Sequence, residues 1–323
     1  WIEEGCAGDM KWLERNVERR VDPAKVLEGA FSVVSLAMNY FPGAEDPDVD
    51  YRIARYAWND DYHDVIEERL KEMNLAMEGL GGIQRFYTDT GPLLERDFAT
   101  DSGLGWSGKS TVQIHRKLGT WFFLAELITT LDLPPDLPFG DHCGKCTRCI
   151  DACPTGAIVE NGVVDAAKCL AWLIQKPGVF DRQYRVALAD RIYGCDDCQE
   201  VCPPTQRLSI TKKQNAEVRQ WVSVIQLLNM DDAAVLSNFK HWYITDRDPT
   251  WVRRNALINL GNIADGSDLD VQEVIARYLN HPQPVLRVHA VWSAARLNLR
   301  HLINFADDDP LVANELRSLP DPR

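Results

Sequence analysis

The apolar positions of this chain change period several times, and each change marks a different kind of element. "FSVVSLAMNYF", from Phe31, is a β-branched and aromatic run that predicts a buried strand. "HDVIEERLKEMNLAMEGL", from His63, sets apolar residues at helical spacing above a charged face and predicts a helix ending at Gly81-Gly82. "TVQIHRKLGTWFFLAEL" fits two strands about a turn at Lys117-Leu118-Gly119, or a strand running into a helix. The longest apolar run, "WFFLAELITTL" from Trp121, contains Glu126 and is too short to span a bilayer. These elements predict an α/β domain over residues 1–135.

"LDLPPDLPFGDH" is a proline-rich linker into a cysteine-rich region, residues 136–207. Beyond it, over 208–323, the patterning is helical. "PTWVRRNALINLGNIA" and "QPVLRVHAVWSAARLN" align at an offset of 34 residues, with Val252, Arg253, Ala256 and Leu257 matching Leu286, Arg287, Ala290 and Val291. A recurring two-helix unit predicts a short α-solenoid of the HEAT type, with a generic helical bundle as the alternative.

Composition narrows the class. At 323 residues, 45% hydrophobic and 26% charged, the chain has the profile of a soluble protein of two or three domains. Its net charge of −13 argues against nucleic-acid binding through global charge, though not against a local basic patch. No secretory signal is visible, and a first residue Trp1 rather than Met leaves room for an upstream segment.

Eight of nine cysteines crowd into and between two stretches, "CGKCTRCIDACPTGA" and "CDDCQEVCPPT". The first reads C-x2-C-x2-C-x3-C-P, a ferredoxin run in which three thiolates hold one [4Fe–4S] cube and the fourth reaches another. The second lacks its leading cysteine, and Cys169 is the nearby candidate. The partition expected is Cys143, Cys146, Cys149 and Cys202 on cluster one, and Cys153, Cys169, Cys195 and Cys198 on cluster two. A disulfide framework suits small secreted chains, and zinc sites usually pair two C-x2-C units without a third close cysteine. Cys6 stands apart and reads as a free thiol in a packed helix. Cluster chemistry favours a reducing cytoplasm.

The Gly103, Gly105 and Gly108 spacing in "YTDTGPLLERDFATDSGLGWSGKS" matches neither a dinucleotide nor a P-loop fingerprint, and says only that backbone approaches a ligand closely. Taken together, however, "DTGPLLERDFATDSGLGWSGK", "DHCGKCTRCIDACPTGAI" and "RIYGCDDCQEVCP" resemble the epoxyqueuosine reductase family in order and separation, as do "RYAWNDDYHDVIEERL" and the helical repeats. The resemblance covers nearly the whole chain and starts inside the family's N-terminal region.

The resemblance implies an α+β protein: a nitroreductase-like, cobalamin-binding catalytic domain, a ferredoxin-like two-cluster module and HEAT-like helices. It implies two [4Fe–4S] clusters and cobalamin as cofactors, and reduction of epoxyqueuosine to queuosine at the tRNA wobble position. The family's proton donor falls on Asp89, whose carboxyl would need burial against an apolar cofactor to hold its proton. By itself, an Asp before Thr-Gly reads as a turn residue. Tyr56, Asp61, Tyr62 and His63 lie in a motif implied to line the pocket, with His63 toward the substrate; His63 reads equally as a helix N-terminal residue. Trp106, Gly108 and Lys109 are implied to approach the corrin, and Asp196 to lie near the cofactor. No D-x-H-x-x-G motif supplies a histidine to cobalt.

Phosphate contacts to tRNA are expected from Lys240, Arg253 and Arg254, with the recurring Arg253 and Arg287 alternatively structural. The partners expected are epoxyqueuosine-tRNA and a reduced donor of flavodoxin or ferredoxin type. No membrane is expected, and the chain should be a cytoplasmic monomer. The competing readings are another corrinoid iron–sulfur reductase, such as a reductive dehalogenase, and an electron-transfer ferredoxin with a protein-binding solenoid.

Overall fold

The computed structural model describes residues 1–41, 43, 51–211 and 218–323, with only the backbone described at 209–211. Contacts divide the chain into two compact units, each assembled from separated stretches. Unit 1 is 1–45, 59–169 and 196–218; unit 2 is 46–58, 170–195 and 219–323. Each unit takes stretches from before, within and after the cysteine-rich region.

Unit 1 is built on an antiparallel sheet in the order β1 (Ser32–Asn39), β5 (Phe122–Thr129), β2 (Gln84–Tyr87). β5 lies in the middle and is mostly buried, as its continuous apolar sequence requires. Of the two readings of "TVQIHRKLGTWFFLAEL", two strands form. β4 (Gln113–Ile114) pairs with β3 (Trp106–Ser107), and β5 pairs with β1 and β2. The turn between them closes at His115–Gly119, with His115 Nδ1 accepting from the Lys117 and Leu118 amides. Gly119 is required there: at φ +60 it passes so close to Thr205 that a Cβ would sit 2.6 Å from the Thr205 Cα.

The helix expected from His63 spans Tyr62–Glu78. Asp61 caps it, accepting from the His63 amide, and Gly79 ends it. Its apolar stripe places Ile66 and Leu70 against Ala125 of β5 on one face of the sheet. On the opposite face, Ile128 packs with Val26, Leu27 and Leu93, next to the helix Glu95–Asp101. The cysteine segments of this unit carry two short helices, Arg148–Ala152 and Asp197–Glu200, and a hairpin of β6 (Ile158–Glu160) with β7 (Val163–Val164).

Unit 2 is helical. Its centre is the pair Thr250–Ile263 and Pro284–Arg296, the two segments that align in sequence. The matched apolar positions Val252, Ala256, Leu257, Leu286, Ala290 and Val291 are all buried. The matched arginines do equivalent work: Arg253 pairs with Asp232 and the Met230 carbonyl, and Arg287 with Asp307 and the His281 carbonyl. Among the described residues, no helix is long and apolar enough to cross a membrane.

Candidate active site and cluster cavity

Unit 1 carries two cavities with chemistry in their walls. The first, about 280 Å³, is lined by Cys143, Cys146, Cys149, Cys198 and Cys202, with Trp106, Lys109 and Arg148 beside them. Both Cys198 and Cys202 line it beside the first cysteine run, Cys202 the ligand expected on cluster one and Cys198 the one expected on cluster two. Burial pushes Cys202 up to about 11 and Cys149 upward as well, so both stay thiols until iron displaces the proton. Among the described residues, no three His, Cys, Asp or Glu side chains converge on a point that would hold a single ion. Five cysteines around one cavity are compatible with a cube of several irons. Cys153 accepts from the Ala157 amide at 3.2 Å, and Cys153, Cys169 and Cys195 are half-buried. Cys6 is free and half-buried.

Three residues expected at the corrin, Trp106, Gly108 and Lys109, lie at or next to this cavity. Trp106 is buried, stacks on Phe139 and donates Nε1–H to Cys143 Sγ at 3.4 Å. Lys109 Nζ donates to the Gly144 carbonyl at 2.8 Å. The space a side chain would take at Gly108 is filled by Ile114, whose Cδ1 would stand 2.7 Å from a Cβ there. The tight glycines accommodate the chain's own backbone, as at Gly105, where a Cβ would meet the Ile114 carbonyl oxygen at 2.2 Å.

The second cavity, about 250 Å³ and open on one side, is lined by Asp89, Tyr62, Glu95, Arg96, Gln113 and Phe123 among others. Asp89 follows β2 in a left-handed conformation, φ 59. Tyr62 donates its hydroxyl to Asp89 Oδ2 at 2.5 Å, and His63 Nε2 stands 3.9 Å from the same oxygen. His63 Nδ1 lies 2.7 Å from Asp61 Oδ1, which orients the ring. Burial and the Asp89 carboxyl push the Tyr62 phenol upward, so it remains a donor. Asp61, Tyr62, His63 and Asp89, 27 residues apart at Tyr62 and Asp89, therefore form one cluster. Asp89 itself is not buried: its side chain is 65% exposed.

Tyr56 lies in unit 2, its ring tilted against Tyr193 and its hydroxyl 3.4 Å from Gln175 Nε2. Asp196 is buried in unit 1 and accepts from Gln199 Nε2. Lys240 is exposed. The expectation for Arg254 is overturned. It is 1% exposed, and its guanidinium bonds the carbonyls of Leu173, Ile174, Lys176 and Gly178, so phosphate has no access. Arg253 is also buried and paired, leaving its structural reading standing.

Two residues of the site were not anticipated. Glu95 Oε1 accepts from the Asp89 amide at 2.8 Å, and Glu126 lies buried on β5 behind it. The signal for Glu126 was a lone carboxylate inside the longest apolar run.

Known proteins agree with this layout. Residues 142–205 match the 4Fe-4S double cluster binding domain, and residues 20–90 match the family described as Epoxyqueuosine reductase QueG, DUF1730. An epoxyqueuosine reductase of Vibrio cholerae is 38% identical over 275 residues, 81% of this chain and 74% of that protein. One of Salmonella typhimurium is 34% identical over 309 residues, 92% of this chain and 79% of that protein. A crystal structure of epoxyqueuosine reductase with a tRNA-Tyr epoxyqueuosine-modified stem loop superposes with a TM-score of 0.82 at 28% identity, covering 98% of this chain and 90% of that one. The Bacillus subtilis enzyme, solved with its catalytic loop swung out of the active site, gives a TM-score of 0.79 at 28% identity over 94% of this chain and 85% of that one. On these identities and this coverage, the chain belongs to the epoxyqueuosine reductase family.

Proposed function

We propose that this chain reduces epoxyqueuosine to queuosine in tRNA, with Asp89 as the acid that protonates the departing oxygen. The observation that carries the assignment is the convergence of Tyr62, His63 and Asp89 on one cavity. Converting an epoxide to an alkene takes two electrons and two protons and releases the oxygen as water. Eight cysteines suffice for two [4Fe–4S] clusters, with cluster one on Cys143, Cys146, Cys149 and Cys202 and cluster two on Cys153, Cys169, Cys195 and Cys198.

The lining of the Asp89 cavity suits one face of a corrin and not the whole ring. Phe122, Phe123, Leu124 and Val112 give an apolar wall, and the bulk of the group would extend through the open side. Cobalamin bound there would supply a strongly reducing centre charged one electron at a time. The protein's part is positioning and protonation. A cofactor and base covering the exposed face of Asp89 would desolvate it and favour its protonated form. Tyr62 fixes the carboxyl through Oδ2, and His63 is placed to return a proton after each turnover.

The Asp89 loop is read as movable, by likeness to the Bacillus subtilis enzyme with its loop swung out. Residues 1–135 would hold cobalamin, 136–207 the clusters, and 208–323 HEAT-like helices contacting tRNA. Lys240 is the expected phosphate contact that the fold leaves exposed. The wobble base would be extruded to reach the cofactor. The working form is a cytoplasmic monomer supplied by a flavodoxin- or ferredoxin-type donor.

Asp89→Asn tests the assignment. It preserves size but removes the transferable proton, so cluster content and tRNA binding should persist while turnover falls about 10²–10⁴-fold. Parent-rate turnover in an anaerobic assay with reduced donor would remove Asp89 from the chemistry.

A further inference from the structure

Behind the Asp89 loop lies a pair of carboxyls that the reaction as described does not use. Glu126 stands at the middle of β5, opposite Ser35 of β1 and Tyr87 of β2, and is 0% exposed. No donor among the described residues reaches either of its oxygens, and the Ser35 hydroxyl opposite it is likewise unsatisfied. The group within hydrogen-bond reach is the Glu95 carboxyl, and that bond needs a proton on one of the two. A buried carboxyl left so is costly unless it keeps its proton. Glu95, in the first turn of Glu95–Asp101, faces it and accepts the Asp89 amide at 2.8 Å. Asp89 has a positive φ that a non-glycine residue holds only when its surroundings fix it.

We propose that Glu95 and Glu126 share one proton and so latch the Asp89 loop in its working position. With the proton on Glu126, its hydroxyl is free to turn toward an ionised Glu95. Glu95 then grips the Asp89 N–H through a charge-assisted bond. A second proton makes Glu95 a poorer acceptor and loosens the grip. Loss of the shared proton leaves two buried carboxylates face to face, and they separate.

The surrounding charges set the window. Glu95 faces Glu126, Asp89 and the Arg96 guanidinium, and Tyr62 bonds the Asp89 carboxyl nearby. Burial, then Asp89, push Glu95 up to about 7, against the weaker pull of Arg96. Burial, then Glu95, push Glu126 up to about 9. The latch therefore closes as pH rises past about 7 and opens again past about 9.

The inference rests on Asp89 being the working acid, but its test needs no turnover. Amide hydrogen exchange of residues 86–93 is followed in the full chain from about pH 5.5 to about 10, corrected for intrinsic exchange. The parent should show a maximum of protection between the two limbs. Glu95→Gln should lose protection by about tenfold or more and flatten both limbs, the scale of one charge-assisted hydrogen bond. Glu126→Gln is isosteric and keeps a donor, so it should retain protection and abolish only the upper limb. Parent-like protection in Glu95→Gln, or an upper limb surviving in Glu126→Gln, overturns the latch. An active Asp89→Asn variant with these limbs intact would instead overturn the acid assignment and leave the latch standing.

Discussion

Two buried ionisable side chains, Arg254 in unit 2 and Glu126 in unit 1, meet the cost of burial in opposite ways. Arg254 cannot give up its charge, and the fold surrounds it with acceptors. Four of these are carbonyls at and beyond the end of the helix Leu170–Gln175, where unsatisfied carbonyls and the helix dipole both favour a cation. The Phe180 and Trp251 rings cover its guanidinium. Glu126 can give up its charge, and the fold sets it against another carboxyl, Glu95, rather than a cation, so it holds a proton. A buried ion with every bond made is architecture. A buried acid facing a second acid is a proton store, and it lies behind the Asp89 loop.

The sharpest way to break this comparison is Arg254→Met. The substitution keeps the bulk but strands several buried carbonyls, and should cost about 3–5 kcal/mol of unfolding free energy. Arg254→Lys should recover little, because a point charge cannot reach the same carbonyls. Urea denaturation followed by circular dichroism reads both. A loss of tRNA affinity at unchanged stability would return Arg254 to the substrate interface.

Adjacent arginines explain why this was not legible in the sequence. Arg253 and Arg254 sit on one helix but point to different sides, one to Asp232 and the other to the Leu170–Gln175 helix. The repeat alignment gives Arg253 a structural alternative, because Arg287 recurs at its position. Arg254 recurs nowhere, and only the three-dimensional packing reveals its task. The local signals fared better. The Phe31 strand and the Tyr62 helix with its Asp61 cap follow from period and capping. The glycines show the close approach read from their spacing, and within the chain it is Ile114 that approaches Gly105 and Gly108. The Glu95–Glu126 pair depends on sheet register and on the helix laid over it, which no window of sequence contains.

The same comparison has a pH signature. Glu126 holds, when folded, a proton that the unfolded chain releases near 4.5, so its contribution is complete below that pH and is lost as pH rises toward about 9. His289 in unit 2 is the reverse. It is fully buried, accepts the Phe180 amide at Nε2, and is held well below the ordinary 6.5 by desolvation and then by Arg185 and Arg254. Its contribution is complete above about 6.5 and is lost as pH falls below that value. Each group should impose a slope of up to about 1.4 kcal/mol per pH unit in its window. Hydrogen exchange of the slowest amides in Phe122–Thr129 should show stability falling with rising pH. Those of Pro284–Arg296 should show it rising. Slopes of one sign in both elements would mean that the two groups are not the ones titrating.

A smaller effect is expected at Trp106, a buried donor whose partner is a sulfur. Its N–H to Cys143 Sγ stabilises the extra charge of a reduced cube. Trp106→Phe should make the midpoint potential of cluster one more negative by roughly tens of millivolts, the direction expected when a hydrogen bond to sulfur is lost. A redox titration monitored by electron paramagnetic resonance measures it. An unchanged potential would make the ring a packing element only.

The smallest effect belongs to the cation the fold leaves exposed. Lys240 follows the helix Asp232–Asn238, on a chain whose net charge of −13 repels RNA at long range. Any phosphate contact must therefore be local and must act against that background. Lys240→Ala should leave unfolding unchanged, since an exposed lysine contributes little to stability. It should weaken tRNA binding uniformly and lower the slope of log affinity against log salt by about 0.7–0.9, the share of one phosphate contact. Arg254→Met would show the opposite pattern, with stability lost first and binding lost only as folded protein disappears. If Lys240→Ala leaves the salt slope unchanged, the phosphate contacts lie on other exposed cations, with Arg116, Arg148 and Arg207 at the cysteine cavity the next to replace.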